Sequence, residues 1–522
     1  MTSCLLTDQP IATVDADVLV LGVVPDETGA ALAAGHRLPR KAATHLTDVL
    51  GALEASGRLD DVHTVALVPG VNARKVVLTG LAPKHKREGS TVSPDTIRAG
   101  AGAALRAVTS ADTVLMALPT GDAARLAAAI EGALLGSYAY TAQKSAKPES
   151  SAKPKRGRAQ AADPGKVAKI LVHAADAGDK DAKDTVTRAE TLAAATAYAR
   201  DLVNCPPNLL YPQSFVDSVT ARVGASKAKA RIQIVVHDEE QLAGLGCGGI
   251  VGVGQGSSRP PRIMELHYKP RGKAAGSLAY IGKGITFDTG GVCLKPPASM
   301  LTMKCDMAGA AAVAASVIAA AEMGLPVAVS GYLCLAENMP GGNAQRPGDI
   351  VTMRSGTTVE IIDTDAEGRM VLADGLALAG EKKPDALVDV ATLTGACMIA
   401  LGNKVAGLMS NDDDFGARVL ASADEAGEPM WPLPLPDDLR AKLESPIADL
   451  QHKGDQYGGA LTAGLFLREF AKDADGAEIP WAHLDIAGPA YLTDAPFGHV
   501  VKGGTGYAVA TLVALAAGWA AK

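Results

Sequence analysis

The sequence predicts an α/β protein of two domains, a smaller N-terminal α/β domain and a larger C-terminal α/β domain, joined by a long helix. Three observations carry this. The chain has 522 residues, more than the ~100–200 expected of one domain. Apolar strand-like runs alternate with helical patterns in both halves, as layered α/β structure requires. Between the two sets, Thr185 to Val203 reads as one helix, stopped by Pro206 and Pro207.

In the first half, residues 15–24 (DADVLVLGVV) read as a buried strand with an acidic lead-in. A helical stretch near Thr28–Ala34 follows, then strands at His63–Val68 and Lys75–Leu78. Helical patterns come at Ser93–Val108 and Asp122–Leu135, and strands at Thr113–Leu118 and Lys169–His173. Alternation of this kind points to a largely parallel sheet. Residues 141–166 (TAQKSAKPESSAKPKRGRAQAADPGK) hold almost nothing to bury and read as a solvated loop. The basic end of that loop, Lys153, Lys155, Arg156 and Arg158, would suit nucleic acid, but no aromatic residues interleave for base stacking.

The second half opens with a strand at Arg231–Val236 and a helix at Glu239–Leu245. Gly244, Gly246 and Gly249 spell GxGxxG, yet they follow a helical pattern and open no helix, so dinucleotide binding is discounted. Strands are expected at Leu278–Ile281, Val327–Leu335, Leu387–Val390 and His483–Ile486. Helices are expected at Met303–Met323, Met370–Gly380, Asp437–Leu443, Ala460–Phe470 and Tyr507–Ala517.

Composition narrows the function classes. Apolar residues make up 48% of the chain and aromatics 4%, so the core is mostly Ala, Val, Leu and Ile. A net charge of −7 argues against a protein basic overall for nucleic acid. Seven cysteines without a CxxC pair read as reduced thiols in a cytoplasmic protein. No basic segment precedes an apolar one at the N-terminus, where Asp8, Asp15 and Asp17 intervene, so no signal peptide is expected. The longest apolar run, Met307 to Ala321, falls short of the ~18 residues of a membrane span and reads as a buried helix.

Two charged runs carry the chemistry. One is Asp363-Thr364-Asp365-Ala366-Glu367-Gly368-Arg369; the other threads Lys283, Asp288, Lys295 and Asp306 through glycines and apolar residues. Asp288, Asp306, Asp365 and Glu367 offer hard oxygen ligands for divalent ions. Two ions sharing carboxylates, as in two-metal hydrolases, need about this many acidic groups. No histidine falls in either run, and HExxH and GxSxG are absent. Lys283 could ligate only as a neutral amine, and adjacent cations would favour that form. Lys295 would stay charged and face a developing oxyanion. Arg369 offers a planar fork for a carboxylate-like anion. The same residues have plainer uses. Thr364 and Glu367 fit a capping box, Asp288-Thr289-Gly290-Gly291 fits a turn, Asp306 could begin a helix, and the lysines could lie at the surface.

DTDAEGR, together with GKGITFDTGG, CLK and CDMAG at their spacings, resembles the leucyl (cytosol) aminopeptidases, whose signature is NTDAEGRL. ATLTGA at Ala391–Ala396 resembles that family's substrate loop, and NCPPN at Asn204–Asn208 its domain junction. The resemblance implies a two-metal exopeptidase that removes N-terminal Leu and similar apolar residues from peptides. Lys283, Asp288, Asp306 and Glu367 would hold a tightly bound metal. Asp288, Asp365 and Glu367 would hold an exchangeable one, helped by the Asp365 carbonyl; the ions would be Mn2+ or Zn2+. Lys295 would polarise the scissile carbonyl, and Arg369 would hold bicarbonate as general base for the bridging water. The Leu393 backbone would contact substrate or bicarbonate, and Met303, Thr392 and Gly395 would line the side-chain pocket. Domains are expected at 1–184, with 185–204 as the connecting helix and 205–522 as the catalytic domain with a central mixed sheet. A cytoplasmic homo-hexamer without membrane contact is implied. Asp363 stands where the signature has Asn, Met370 replaces Leu, and Ala308 replaces a common Gly. The rival readings are another two-metal hydrolase, for which no phosphate-cradling loop is present, and a DNA-binding accessory protein.

Overall fold

In the computed structural model, residues 2–27, 29–83, 92–109, 111–145 and 167–519 are described. Lys153, Lys155, Arg156 and Arg158 lie outside them, as does most of the expected loop 141–166. The chain forms two compact units, residues 1–194 with 494–502, and 195–493 with 503–522. The division falls within a single helix, Lys180–Asn204.

The first unit is built on a seven-stranded sheet. Its central strand, Val18–Asp26, runs parallel to Lys75–Gly80 on one side and Ala111–Ala117 on the other. Val167–His173 and Ser3–Thr7 continue the parallel order, and Val62–Ala66 closes the far edge antiparallel. The helix expected near Thr28–Ala34 is instead a strand, Gly29–Leu32, paired antiparallel with the end of Val18–Asp26. The alanines there suit a helix, but Gly29 at φ +127° turns the chain back, and pairing overrides propensity.

The second unit carries an eight-stranded mixed sheet. Four neighbouring strands at its centre are parallel: Trp481–Asp485, Ala386–Ala391, Ser277–Asp288 and Ala328–Asn338. Ala406–Ser410 flanks them antiparallel on one side and Arg262–Tyr268 on the other, and Ile232–His237 pairs antiparallel with Arg262–Tyr268 at the edge. The central strands are almost wholly buried, as their continuous apolar runs require. All four end in the same direction, so their carboxyl ends converge, which is where ligands bind in such sheets.

Two helices fix the strands that matter. Ala308–Met323, expected as part of one helix from Met303, follows a short turn at Met303–Cys305, and Asp306 sits in the break between them. It is buried along its first fourteen residues. Its small residues let it lie on the strands: a Cβ at Gly309 would fall 2.0 Å from the Val390 carbonyl oxygen, and one at Gly282 2.5 Å from Ala310 Cα. Gly368–Gly380 packs against the sheet through Met370, Leu372, Ala373 and Leu376. Met370 thus does the work expected of leucine in that position. Among the described residues one stretch, Met303–Met323, is apolar enough by composition to cross a membrane, and 94% of its most apolar window is buried inside the fold.

Candidate metal centre

The two charged runs meet at the carboxyl ends of the parallel strands. Lys283 lies within Ser277–Asp288, and Asp288 is that strand's last residue. Lys283 is 3% exposed. Its Nζ lies 2.8 Å from Asp306 Oδ1 and 2.7 Å from Glu367 Oε1, and it donates to the Thr392 carbonyl at 2.9 Å. Lys295 Nζ lies 2.8 Å from Asp288 Oδ2 and 2.6 Å from Asp365 Oδ1. Thr392 Oγ1 donates to Asp306 Oδ1 at 2.7 Å.

The plainer uses of these residues separate cleanly. No side-chain cap forms at the start of Gly368–Gly380, whose N-cap is Glu367 itself. Thr364 Oγ1 donates to the Gly290 carbonyl and accepts from the Cys293 amide, so there is no capping box. Helix Ala308–Met323 likewise has no side-chain cap, and Asp306 turns to Lys283 and Thr392. The turn after Asp288 does form: Gly290 N–H donates to Oδ1 at 2.8 Å, leaving Oδ2 for Lys295. Gly290 and Gly291, at φ +87° and +66°, shape that turn, and a Cβ on Gly290 would meet the Cys293 carbonyl oxygen at 2.4 Å. Gly368 lets Lys283 in, because its Cβ would lie 2.5 Å from Lys283 Cε.

Electrostatics state what the cluster lacks. Four carboxylates face two ammonium groups, a deficit of two positive charges in a buried site. Burial, with Glu367 adding to it, pushes Asp288 up to about 6 against the pull of Lys295 and Lys283. Burial also drives Asp306 well above the ordinary carboxylate range. Burial works against the Lys283 charge, yet Asp306, Glu367 and Asp288 hold its pKa above the usual value. Glu367 is held below its usual value because Lys283 and Lys295 outweigh its burial. Asp306 Oδ2 and Glu367 Oε2 are buried with no hydrogen-bond partner. Carboxylate oxygens of Asp288, Asp365 and Glu367 lie within 4.8 Å of one another. Unsatisfied buried oxygens beside a convergent carboxylate set fit divalent cations.

Arg369 stands apart from the carboxylates. It is 6% exposed, donates from Nη1 to the His452 carbonyl at 2.7 Å, and its buried Nε has no partner. Burial pulls its pKa down to about 10, against Glu367, Asp485 and Asp363. Asp363 accepts from the Asp365 amide at 3.0 Å through Oδ1 and pairs through Oδ2 with Lys453. Met303 lies on the turn that leads to Asp306, and Gly395 opens the helix Gly395–Leu401. The Leu393 amide donates to Asp485 Oδ1 at 3.1 Å.

Four supporting residues carry no motif of their own. Asn338 ends the strand Ala328–Asn338 and donates to both Asp288 Oδ1 and the Thr364 carbonyl, joining the two runs. Asp485 ends Trp481–Asp485 and accepts from Leu393 N–H and from Thr394 N–H and Oγ1, which fixes the loop carrying Thr392. The strand-end rule points at both of these. His452 and Lys453 follow the short strand Leu450–Gln451, and no sequence signal marks them.

With this geometry in place, the likeness to known proteins is specific. Residues 197–513 match the catalytic domain of the cytosol aminopeptidase family, and residues 20–147 match that family's N-terminal domain. The chain belongs to the cytosol aminopeptidase family. A probable cytosol aminopeptidase of Streptomyces griseus is 48% identical over 99% of this chain and 98% of its own length. One from Micrococcus luteus is 45% identical over 98% of each. Among solved structures, the bottromycin maturation enzyme BotP in complex with Mn superposes with a TM-score of 0.81 at 37% identity, covering 97% of this chain and all of its own. A mutant of tomato leucine aminopeptidase gives 0.82 at 28%, covering 99% and 96%. The chain is thus a metal-dependent aminopeptidase acting on peptide substrates, and its carboxylate cluster lies inside the segment that matches the catalytic domain.

Proposed function

We propose that this aminopeptidase removes the N-terminal residue of peptides, favouring leucine and similar apolar side chains, with two divalent cations and a bicarbonate ion. The observation that carries the reading is the convergence of Asp288, Asp365 and Glu367 beside the partnerless oxygens of Asp306 and Glu367. Lys283, which cations beside it would drive to the neutral amine, with Asp288, Asp306 and Glu367 would hold one cation. Asp288, Glu367 and Asp365, the last also through its backbone carbonyl, would hold the other. Mn2+ and Zn2+ both suit such a donor set. When bound, the cations supply Lewis acidity and lower the pKa of a water, and bicarbonate supplies a general base.

The chain's own residues do the rest. Lys295 keeps its proton, because Asp288 and Glu367 outweigh the burial that opposes its charge, and turns Nζ to the scissile carbonyl oxygen. Arg369 offers its free Nε to the bicarbonate. The loop held by Asp485 presents the Leu393 backbone to substrate or bicarbonate, and Met303, Thr392 and Gly395 line the pocket for the N-terminal side chain. We place the catalytic domain at 205–522 behind the connecting helix 185–204, and the working form as a cytoplasmic hexamer. The test is hydrolysis of leucine p-nitroanilide before and after exhaustive chelation, with metal analysis of both samples. Activity should vanish with the metal and return with Mn2+ or Zn2+; full activity in metal-free protein would sink the reading.

A further inference from the structure

Asp363 introduces a carboxylate beside the carboxylate cluster, and its surroundings show where that charge goes. Its Oδ2 pairs with the Lys453 ammonium, and its Oδ1 takes the Asp365 amide at 3.0 Å. The next residue back along the Lys453 segment touches the same turn. His452 Nε2 donates to the Asp363 carbonyl at 2.8 Å, and the Ile362 amide donates to His452 Nδ1 at 3.2 Å. His452 N–H also reaches the Glu360 carbonyl at 3.2 Å. Residues 452–453 are therefore strapped to 360–363 by four contacts, one of them an ion pair. The carbonyl of His452 is the acceptor that orients Arg369 through Nη1, at 2.7 Å.

We infer that the Asp363–Lys453 pair is a latch that positions Arg369 through His452. Lys453 and His452 are positioning residues: neither reaches the carboxylate cluster, and each acts through the guanidinium. A half-exposed lysine salt bridge adds little to stability. Its value here is geometric. Three of the four contacts use backbone groups or a neutral ring, which leaves the ion pair to set how tightly the segment closes on the turn. With the segment loosened, the one hydrogen bond that aims Arg369 slackens, and the guanidinium no longer meets its anion in a fixed pose. The inference rests on the reading of Arg369 as the bicarbonate holder.

The test measures bicarbonate directly and kinetically on the full-length protein. Mn2+-loaded enzyme is titrated with [13C]bicarbonate while the broadening of its 13C signal is followed, and kcat and KM are measured against added bicarbonate. Lys453→Met should raise the bicarbonate concentration for half-maximal response roughly tenfold, the scale seen when a supporting partner is lost. KM for leucine p-nitroanilide should hold, and Lys453→Arg should restore the wild-type response. The double variant Asp363→Asn with Lys453→Met separates latching from charge balance. It removes the stranded carboxylate yet keeps an oxygen for the Asp365 amide, and a latch predicts that bicarbonate binding stays weak. Recovery in the double variant, or an unchanged Lys453→Met, would overturn the latch. Arg369→Ala is the control on the reading beneath it. If bicarbonate broadening survives that change, the Arg369 assignment falls; if it is abolished while Lys453→Met is normal, only the latch falls.

Discussion

Burial and the adjacent Arg369 guanidinium push the His452 ring down to about 4, so the fold holds it neutral, with Nε2 carrying the proton to the Asp363 carbonyl. The unfolded chain titrates near ~6.5. A folded value below the unfolded one gives stability that is complete above pH ~6.5 and is lost as the pH falls through 4. Integrated over that window, the loss is of order 3 kcal/mol. Urea unfolding of metal-free protein at pH 7.5 and pH 4.5 should show it, and His452→Gln, whose amide can still donate to Asp363, should shrink the difference. An equal loss in the variant would assign the acid sensitivity elsewhere. The two cationic side chains make a second prediction. Lys295→Ala and Arg369→Ala should each lower kcat by roughly 100-fold or more while metal content measured by emission spectroscopy is retained. A variant that lost its metals instead would show that the assigned role is wrong.

At the scale of elements, the site depends on how closely helix Ala308–Met323 lies on the sheet. The Cβ of Gly309→Ala would sit 2.0 Å from a backbone oxygen of strand Ala386–Ala391, which no side-chain rotation relieves. The helix must lift, and Asp306 in the break before it must lift too. The expected cost is roughly 3 kcal/mol, read as a lower midpoint in chemical denaturation, with weaker metal retention beside it. Ala308, one residue earlier, is where the family commonly has glycine, and the fold accommodates its methyl at 5% exposure. Legibility follows the same division. The metal-facing residues could be read because chemistry confines them to short runs at strand ends. Asn338 and Asp485 obey the same rule but stand outside any motif. His452 and Lys453 could not be read at all, since their contacts to 360–363 cross some 90 residues of chain. The strand Gly29–Leu32 is not legible in the sequence, because alanine favours a helix while pairing with the strand Val18–Asp26 decides the matter. The break at Asp306 is not legible, because a helix pattern runs from Met303 into the apolar run that starts at Met307 without a proline or glycine to mark a stop.

For the whole molecule, the division into two units confines the candidate metal centre to one of them. Every residue assigned to the metal centre lies between 283 and 485, wholly within the second unit, which also owns the mixed sheet. The first unit has its own sheet and its own buried clusters around Leu19, Leu21, Val76 and Ile97. A chain of this size need not unfold in one step. A cation that binds the folded site and not the unfolded chain stabilises what it binds by about 2.7 kcal/mol at a hundredfold excess over its dissociation constant. Net relief of the site's charge deficit acts in the same direction, since the mutual repulsion of the four carboxylates is offset by only two ammonium charges, those of Lys283 and Lys295. Scanning calorimetry of the full chain, metal-free and with increasing Mn2+, should therefore resolve two responses. The transition belonging to residues 195–493 should climb with cation concentration, and the one belonging to residues 1–194 should stay where it is. Limited proteolysis at temperatures between the two would assign them, because fragments from the second unit should persist only when cation is present. If both transitions moved together at every concentration, the units would unfold as one cooperative block, and the cation's stabilisation would belong to the entire chain.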